Sequence, residues 1–276
     1  MDPSQTAFYA EEVIRRADSA SLAEPFSACE PGFSLDDAYR ISREVLRRRE
    51  SSGWRRIGRK IGFTNRTIYG QYRVFAPIFG YMYRETVLFA SGTERGYEAA
   101  LSLQGLAQPQ IEPEIFFTLR SPPPRSDDPL ALLGAIESYG HGFEIVQCHF
   151  PDWKFTAADT VADLGLHGRY VFGSRVAIQP GSERDLADSL AAFRLKLHRD
   201  GEPVAEGGGE LVLGSPLNAL AHLVQVLASL PDHPPLSAGE LITTGTLTAA
   251  MPIAPGQTWS TRLEGLDLPG LTLRTA

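Results

Sequence analysis

The chain has 276 residues, of which 43% are hydrophobic and 21% charged, a composition typical of a soluble globular protein with a sizeable core. Its formal net charge is -7 and no dense basic stripe is present, which disfavours nucleic-acid and anionic-membrane partners. The arginines at 47–49 are an exception, which we interpret as a solvated helix face. Two distant cysteines, no signal-peptide core and no run that approaches a membrane span together predict a cytoplasmic protein.

The first fifty residues predict helices. Residues 6–20 have a modest helical pattern of apolar positions among charged ones. A second helix is predicted after Ser34, which forms a capping-box pattern with Asp37. We therefore assign residues 1–53 to an N-terminal helical segment and residues 54–276 to a β-rich, metal-binding catalytic domain.

From residue 54 onward, short apolar runs divided by Gly and Pro predict β-strands. The predicted strands cover residues 56–63, 85–89, 111–119, 142–146, 170–173, 193–199, 240–246, 258–264 and 271–274. Three helices are predicted at 128–136, 156–164 and 216–230, the last with Ser215 as N-cap and Pro216 in the first turn. The order of the strands cannot be predicted from this pattern. The predicted fold class is α+β, with peripheral helices around a β-rich core.

Three acidic residues lie in apolar, strand-like segments. Glu112 and Glu114 are two residues apart, so on a strand their side chains point to the same face. Glu144 lies in a second apolar run, which only the fold can bring near the first. Buried carboxylates need a positive partner, and three of them suit a hard dication such as Mg²⁺ or Mn²⁺. From spacing alone, surface acids on an edge strand that tolerates Pro113 remain the alternative.

Lys60 lies between two glycines, Gly58 and Gly62, on one face of a predicted strand. The opposite face carries apolar residues such as Ile57 and Ile61. Space beside Lys60 is therefore free of neighbouring side chains, which suits a group that contacts a ligand. A lysine on a solvated strand is the alternative interpretation.

Seven segments follow one another in the order of a known family: GRKIGFT (58–64), QPQIEPEI (108–115), FEIV (143–146), WKF (153–155), DTVAD (159–163), GSPLNA (214–219) and AGELITTG (238–245). As an ordered set they resemble the 2-hydroxypenta-2,4-dienoate hydratase and 4-oxalocrotonate decarboxylase family, a branch of the fumarylacetoacetate hydrolase superfamily. The resemblance covers most of the chain. It implies a mixed β-sandwich or roll core similar to the fumarylacetoacetate hydrolase C-terminal domain, and a homo-oligomeric assembly.

The resemblance also implies site residues and a substrate class. Glu112, Glu114 and Glu144 would be ligands of one Mg²⁺ or Mn²⁺, and Lys60 a catalytic or substrate-orienting residue. The implied substrate is a small molecule with a 2-oxo or 2-hydroxy acid head. The predicted substrate-binding residues lie in two of the resembling segments and are Phe155, Asp159 and Thr160. Phe155, like Trp153, has packing in the core as an alternative.

The chain departs from the family pattern at two positions. The hydratases usually have Asp where this chain has Ile78, which cannot carry a proton. His167 falls where the family more often has a small polar residue, and we predict it as a catalytic residue that replaces the missing proton carrier. A structural histidine is the alternative. His141, three residues before Glu144, is a candidate supporting group for the metal ligand.

The leading hypothesis is a metal-dependent lyase that hydrates or decarboxylates a 2-oxo or 2-hydroxy-dienoate acid, with hydration slightly favoured. A second hypothesis is a C–C hydrolase of acylpyruvates. Such hydrolases use Asp as third ligand and a His–Glu pair to activate water, whereas no histidine precedes His141 here. A third is a non-catalytic, metal-bound module that holds a partner enzyme in a hydratase–decarboxylase complex.

Overall fold

The computed structural model of the chain describes residues 1–93 and 96–276. The helices in this part are α1 (Pro3–Ser19), α2 (Phe26–Cys29), α3 (Leu35–Ser51), α4 (Tyr69–Tyr72), α5 (Pro129–Leu133), α6 (Ala157–Ala162), α7 (Glu183–Ala192) and α8 (Pro216–Ser229). The strands are β1 (Arg56–Gly62), β2 (Ile78–Tyr83), β3 (Val87–Phe89), β4 (Ser91–Thr93), β5 (Gly96–Leu101), β6 (Gln110–Leu119), β7 (Ile136–Val146), β8 (His167–Ala177), β9 (Arg194–Arg199), β10 (Glu202–Gly208), β11 (Leu241–Thr246), β12 (Met251–Pro252), β13 (Thr258–Glu264) and β14 (Leu271–Thr275).

The long helices begin at the side chains that cap them. Ser34 and Asp37 form the predicted capping box at the start of α3, and Ser215 caps α8 ahead of Pro216. The apolar faces of α1 and α3 belong to the same hydrophobic cluster as the sheets, with Val13 of α1 fully buried. The N-terminal helices therefore pack directly on the β-rich core. The domain division at residue 53 stays a prediction.

Two mixed sheets form the core. The larger has the order β2-β1-β11-β6-β7-β8-β3, with β12 paired to β6, and the smaller has the order β10-β9-β13-β14-β5-β4. Parallel pairing joins β1 to β11 and β3 to β8, whereas β6, β7 and β8 form an antiparallel run. The predicted α+β class with a β-rich core and peripheral helices is confirmed, and the long β6–β7–β8 ladder provides the platform for the site.

Several elements differ from their predicted extent. The strands β2, β4, β5, β10 and β12 and the helices α2, α4 and α7 were not predicted, and α5 is shorter than the predicted helix at 128–136. β7 begins at Ile136, six residues before the predicted start at residue 142, and the added part includes Gly140, a residue type that weakens the strand signal in a sequence. A Cβ atom on Gly140 would lie 2.4 Å from Phe116 Cζ, and one on Gly142 would lie 2.4 Å from Tyr170 Cε1.

The prediction that no run approaches a membrane span is wrong for the segment that contains α8. The segment Gly209–Ser229 is long and apolar enough to cross a membrane, but half of its apolar 18-residue window is buried inside the protein. The α-helical part covers 14 residues and buries Leu217, Leu220 and Leu223 in the core. Its apolar composition is thus explained by packing.

Candidate metal centre and adjoining cleft

The register of β6 and β7 brings the three predicted acidic ligands together. Glu112 lies directly opposite Glu144, and Glu114 lies opposite Gly142. Residues opposite one another on antiparallel strands project to the same face, as do residues two apart on one strand. One carboxylate oxygen from each of the three acids lies within 4.8 Å of the other two. The structure therefore forms the predicted cluster.

The environment of these carboxylates fits a bound cation. Glu114 and Glu144 are fully buried, and Glu112 is partly exposed at the edge of a cleft. Within residues 1–93 and 96–276, Glu114 Oε1 and Glu144 Oε2 have no hydrogen-bond partner. Burial, reinforced by the other two carboxylates, raises the pKa of Glu114 well above its usual range, and burial raises the pKa of Glu112 to about 7. Uncompensated oxygens of this kind are the donors that hard divalent cations prefer.

Lys60 is the buried cation that faces this cluster. Its side chain is 3% exposed, and its Nζ atom lies 3.3 Å from Glu144 Oε2 and donates a hydrogen bond of 2.9 Å to the Gly165 carbonyl. Burial opposes the charge on Lys60, but attraction by Glu144, Glu112 and Glu114 outweighs it, and the pKa of Lys60 lies above its usual value. The ammonium group is therefore charged at neutral pH.

A left-handed turn aims the Gly165 carbonyl at Lys60. Leu164, Gly165 and Leu166 have φ angles of 60°, 65° and 63°. The two leucines adopt a conformation that costs about 1 kcal/mol each for residues with a Cβ atom. The turn packs against Gly80 of β2, where a Cβ atom would lie 2.3 Å from the Leu164 carbonyl oxygen. This close approach holds the turn, and with it the hydrogen bond to Lys60, in place.

A cleft of about 80 Å³ adjoins the acidic cluster. Phe155 stacks on Tyr72 in its wall, with ring centroids 5.7 Å apart and an interplanar angle of 9°. A larger groove of about 640 Å³ between α1, α3 and residues 229–233 shares no residue with it. The cleft is lined by Lys60, Gly62, Phe63, Ile68, Gln71, Tyr72, Glu112, Val146, Trp153, Phe155, Leu166, Thr246, Ala249 and Ala250. The structure thus places Trp153 and Phe155 at the cleft rather than only in the core.

Asp159 and Thr160, predicted to bind substrate, do not line this cleft. The Asp159 carboxylate accepts hydrogen bonds from Ser27 N (2.8 Å), Ser27 Oγ (2.6 Å) and Thr156 Oγ1 (2.7 Å). The Thr160 hydroxyl donates to the Ala157 carbonyl (2.8 Å). Both side chains are fully buried and occupied by these contacts. Asp159 completes the capping box of α6 with Thr156 and joins this helix to Ser27 of α2, whereas Thr160 bonds only within α6. A substrate-binding role for these two residues stays a prediction.

His167 lies behind Glu144 and does not line the cleft. Its Nδ1 atom is 2.9 Å from Glu144 Oε1, and its Nε2 atom is 2.9 Å from Thr86 Oγ1. Burial lowers the pKa of His167, although the hydrogen bond and charge of Glu144 act in the opposite direction. His167 contacts the acidic cluster through Glu144 and has no direct contact with the cleft, and its catalytic role stays a prediction. Ile78 packs beside Gly62 near Lys60, at the position of the missing acid.

His141 lies on the face of β7 opposite to Glu144. Its Nδ1–H donates to the Glu114 carbonyl (3.0 Å), and its Nε2 atom lies 2.8 Å from Thr261 Oγ1. Burial lowers the pKa of His141 to about 4, so it is neutral at pH 7. His141 therefore holds the backbone of Glu114, and the hydrogen bonds of its ring go to none of the three carboxylates.

Three residues of the site were not among those predicted from the sequence. The Gly245 N–H donates to Glu114 Oε2 (3.2 Å), Tyr72 lines the cleft and Thr86 contacts His167. The sequence did mark Gly245, because it ends one of the seven resembling segments. Its φ of 97° and its close approach to Thr64 both require a residue without a Cβ atom. Tyr72 and Thr86 lie in loops and short helical turns between strands, where no periodicity marks them.

Comparisons with known proteins agree with this geometry. Residues 79–268 match the fumarylacetoacetate (FAA) hydrolase C-terminal family. The chain is 34% identical to 2-hydroxyhexa-2,4-dienoate hydratase of Comamonas testosteroni over 252 residues, covering 90% of this chain and 89% of that protein. It is 34% identical to 2-keto-4-pentenoate hydratase of Paraburkholderia xenovorans (strain LB400) over 267 residues, covering 96% and 94%.

Decarboxylases of the same branch are also similar to this chain. The 4-oxalocrotonate decarboxylase of Pseudomonas sp. (strain CF600) is 31% identical over 238 residues, covering 86% of this chain and 84% of that protein. The structure of 4-oxalocrotonate decarboxylase from Pseudomonas putida G7, complexed with magnesium and adipate, superposes with a TM-score of 0.88 at 27% identity over 100% of this chain and 99% of that one. The chain therefore belongs to the fumarylacetoacetate hydrolase family, in the branch that contains the 2-keto-4-pentenoate hydratases and 4-oxalocrotonate decarboxylases.

Proposed function

We propose that the protein is a metal-dependent lyase that acts on a 2-oxo or 2-hydroxy-dienoate acid, with hydration as the leading reaction. The observation that carries this proposal is the convergence of Glu112, Glu114 and Glu144 on one face, opposite the ammonium group of Lys60 and beside an apolar cleft. Relatives that are 34% identical over nearly the whole chain are named hydratases, which supports the choice of reaction.

The three glutamates would hold one divalent cation, Mg²⁺ or Mn²⁺. Magnesium is supported by the complex described for the similar decarboxylase, whereas manganese rests on the all-carboxylate donor set alone. When bound, the cation would supply Lewis-acid polarisation of the substrate's 2-oxygen. Glu114 Oε1 and Glu144 Oε2 accept no hydrogen bond from the described residues, and Oε2 is paired only with the Lys60 charge at 3.3 Å, so these are the oxygens through which the two residues would bind it.

Lys60 would orient the acid head and balance its charge. Three carboxylates and one dication leave a net negative site, and a 2-oxo acid adds further negative charge. An ammonium group has three N–H donors, of which the Gly165 carbonyl and Glu144 occupy two directions. The third donor is available to a substrate oxygen in the cleft that Lys60 lines, where it stabilises charge that develops on an enolate.

The aromatic wall of the cleft suits a conjugated tail. Phe155 and Tyr72 are stacked, and Trp153 lies within 6.4 Å of Phe155 measured between ring centroids. Flat apolar surfaces of this kind favour a planar diene over a branched or charged chain. Phe155 therefore keeps its proposed role as a substrate-binding residue.

Decarboxylation is the second candidate, and Ile78 is the observation that favours it. Water addition needs a group that carries a proton, and Ile78 replaces the acid of the hydratases. Among the cleft-lining residues in the described part of the chain, the titratable side chains are Lys60, Tyr72 and Glu112. Loss of CO₂ leaves an enolate that an ammonium donor can stabilise without water activation. The similarity to a solved decarboxylase agrees with this alternative.

The reactions are distinguished by their products. Purified protein loaded with Mg²⁺ is incubated with a panel of 2-hydroxydienoates and 2-oxo acids while dienoate absorbance is followed and released CO₂ is trapped. Loss of absorbance without CO₂ supports hydration, and stoichiometric CO₂ supports decarboxylation. Pyruvate released from acylpyruvates would instead identify the C–C hydrolase. No turnover in any arm would contradict the lyase proposal.

We further propose that the protein is a cytoplasmic homo-oligomer whose ligand is a small-molecule 2-oxo acid. Light scattering of the purified chain measures the assembly, and a monomeric mass would contradict that part. The non-catalytic module is tested by adding Lys60→Ala protein to a partner hydratase. Unchanged partner output together with an inactive wild-type chain would favour the module over the enzyme.

A further inference from the structure

The two oxygens of Glu144 lie in different surroundings. Oε1 accepts a hydrogen bond of 2.9 Å from His167 Nδ1. Oε2 has no hydrogen-bond partner in the described part of the chain and lies 3.3 Å from Lys60 Nζ. Glu144, His167 and Thr86 are 0%, 3% and 8% exposed, so water does not compete strongly for these contacts. The protein thus engages one oxygen and leaves the other facing the acidic cluster.

Glu114 shows the same division between its oxygens. Oε2 accepts a hydrogen bond from the Gly245 backbone N–H, whereas Oε1 is buried without a partner in the described residues. Two buried members of the cluster are therefore each held by one protein donor at one oxygen. The donor to Glu114 is the backbone N–H of Gly245. The donor to Glu144 is the His167 side chain, whose tautomer and orientation must themselves be fixed by another group.

The hydrogen-bond partners of His167 indicate which of its two ring nitrogens carries the proton. An ionised carboxylate only accepts hydrogen bonds, so the proton between His167 and Glu144 is on Nδ1. In the neutral imidazole Nε2 is then an acceptor, and Thr86 Oγ1 at 2.9 Å is the group that donates to it. The Tyr83 N–H donates to the same hydroxyl oxygen (3.3 Å), which completes its bonding. Because the hydroxyl has one proton, donating it to Nε2 excludes donating it to the Tyr83 carbonyl, 3.0 Å away.

We propose that Thr86 and His167 are positioning residues of the metal centre: Thr86 fixes the His167 tautomer, and His167 holds Oε1 of Glu144 so that Oε2 alone is presented to the cation. This inference rests on the proposed function, because it requires the acidic cluster to bind a metal. It replaces the predicted role of His167 as a proton carrier with one that acts through Glu144. Glu144 would then bind through a single oxygen.

Paired variants separate hydrogen bonding from packing. His167→Asn retains a side-chain N–H donor near the position of Nδ1, whereas His167→Leu fills space without a donor. Thr86→Ser retains the hydroxyl, whereas Thr86→Val replaces it with a methyl group of similar volume. Binding of Mn²⁺ to the full-length proteins is measured by electron paramagnetic resonance without substrate, and circular dichroism and thermal unfolding establish that each variant is folded.

We expect His167→Leu to weaken Mn²⁺ binding roughly 10- to 100-fold, as is typical when a group supporting a ligand is removed. Thr86→Val should weaken it about tenfold, and His167→Asn and Thr86→Ser should stay near the wild-type affinity. Nitrogen-15 NMR of labelled histidine should show the Nδ1–H tautomer of His167 in the wild type. In Thr86→Val that resonance should change, which a merely structural threonine would not cause.

Wild-type Mn²⁺ affinity in folded His167→Leu and Thr86→Val would overturn the proposal. An Nε2–H tautomer of His167 in the wild type would overturn it as well. If His167→Leu does not fold, Thr86→Val and the NMR measurement still decide. A wild-type protein that binds no divalent cation would instead overturn the proposed function, so the two failures are distinguishable.

Discussion

Glu112 and Glu144 lie directly opposite each other on β6 and β7, and this single register turns two separate sequence motifs into one site. Side chains alternate between the faces of a sheet, so a slip of one residue would direct Glu144 to the face that now carries His141. Glycines at 140 and 142 let Phe116 and Tyr170 pack tightly beside the acids and hold that register. The positions of the three carboxylates therefore depend on the register between β6 and β7.

The first prediction concerns Glu114→Gln. The amide keeps an oxygen that can accept from Gly245 N–H and resembles the protonated carboxyl that burial and the neighbouring carboxylates favour by raising the pKa of Glu114. We expect Mn²⁺ affinity to fall by more than the roughly 10- to 100-fold typical of supporting groups, because a ligand is lost. The free energy of unfolding of the metal-free protein should be unchanged or higher by about 1 kcal/mol. Electron paramagnetic resonance and urea denaturation measure the two quantities.

Glu137→Gln is the matched control for that variant. Glu137 is exposed on β7, the same strand that carries Glu144. Its substitution should change neither metal affinity nor stability beyond about 0.5 kcal/mol. Equal Mn²⁺ affinity for Glu114→Gln and the wild type would show that Glu114 is not a ligand.

The second prediction concerns Lys60→Met. Removing the ammonium leaves the carboxylate cluster without its buried counter-charge, so the metal-free protein should lose about 3 kcal/mol of stability. Saturating Mg²⁺ should restore most of that loss, because the cation compensates the same carboxylates. Turnover should fall about 100- to 1000-fold even with Mg²⁺, since the donor to the developing enolate is absent.

The half-exposed Lys196 of β9 provides the control. Lys196→Met should retain turnover and stability with and without Mg²⁺. A Lys60→Met protein whose stability is the same as the wild type without metal, and does not respond to Mg²⁺, would contradict the charge compensation described above.

The third prediction compares three glycines. A Cβ atom on Gly62 would lie 3.0 Å from Lys60 Nζ, the movable end of a side chain, whereas one on Gly80 would lie 2.3 Å from the Leu164 carbonyl oxygen, which is backbone. We expect Gly62→Ala to displace the ammonium and lower turnover about tenfold, a loss worth about 1.4 kcal/mol in the barrier, with little loss of stability. Gly80→Ala should destabilise the protein by about 2 kcal/mol.

Gly70→Ala is the control, because nothing lies within 4 Å of its Cβ position. It should keep both turnover and stability, or gain a few tenths of a kcal/mol from the higher helix propensity of alanine in α4. Steady-state kinetics and thermal unfolding of the three variants test the comparison. Similar effects of Gly62→Ala and Gly70→Ala on turnover would contradict the proposed position of Lys60.

Local rules were enough to predict the parts of the site that lie along single strands. The two-residue spacing of Glu112 and Glu114 predicts a shared face. The capping box at Ser34 likewise needs only residues within one turn. In each case the deciding contact is made by residues close together in the chain. The prediction of free space beside Lys60 is wrong at Gly58, where a Cβ atom would lie 1.8 Å from the Leu241 carbonyl oxygen of β11.

Contacts between distant residues could not be predicted. Arg59 is fully buried because Glu240, 181 residues later, accepts its hydrogen bond at 2.7 Å. The Asp159 carboxylate accepts two hydrogen bonds from Ser27, 132 residues earlier in the chain. β2 has six consecutive buried residues and therefore lacks the alternation that marks a half-buried strand. Such features depend on the strand order, which no local pattern specifies.

The last prediction concerns the pH dependence of stability and His233. This residue is 7% exposed, its Nδ1 atom lies 2.7 Å from Tyr81 Oη, and it lies close to the Arg59–Glu240 pair. Burial, followed by repulsion from Arg59, lowers the pKa of His233 to about 4. The unfolded chain has a histidine pKa of about 6.5, so between these values it binds a proton that the folded protein does not.

Stability should therefore fall as the pH is lowered from about 6.5 to about 4, with a contribution from His233 on the order of 2 kcal/mol, and this contribution should be constant above pH 7. His233→Gln keeps a hydrogen-bond acceptor for Tyr81 but cannot titrate, so its free energy of unfolding should decline less steeply over the same range. Urea denaturation of the metal-free proteins measures both slopes, and because the acidic cluster is the same in the two proteins, its own titration cancels in the comparison. Parallel curves for the wild type and His233→Gln would show that the buried imidazole does not couple folding to pH.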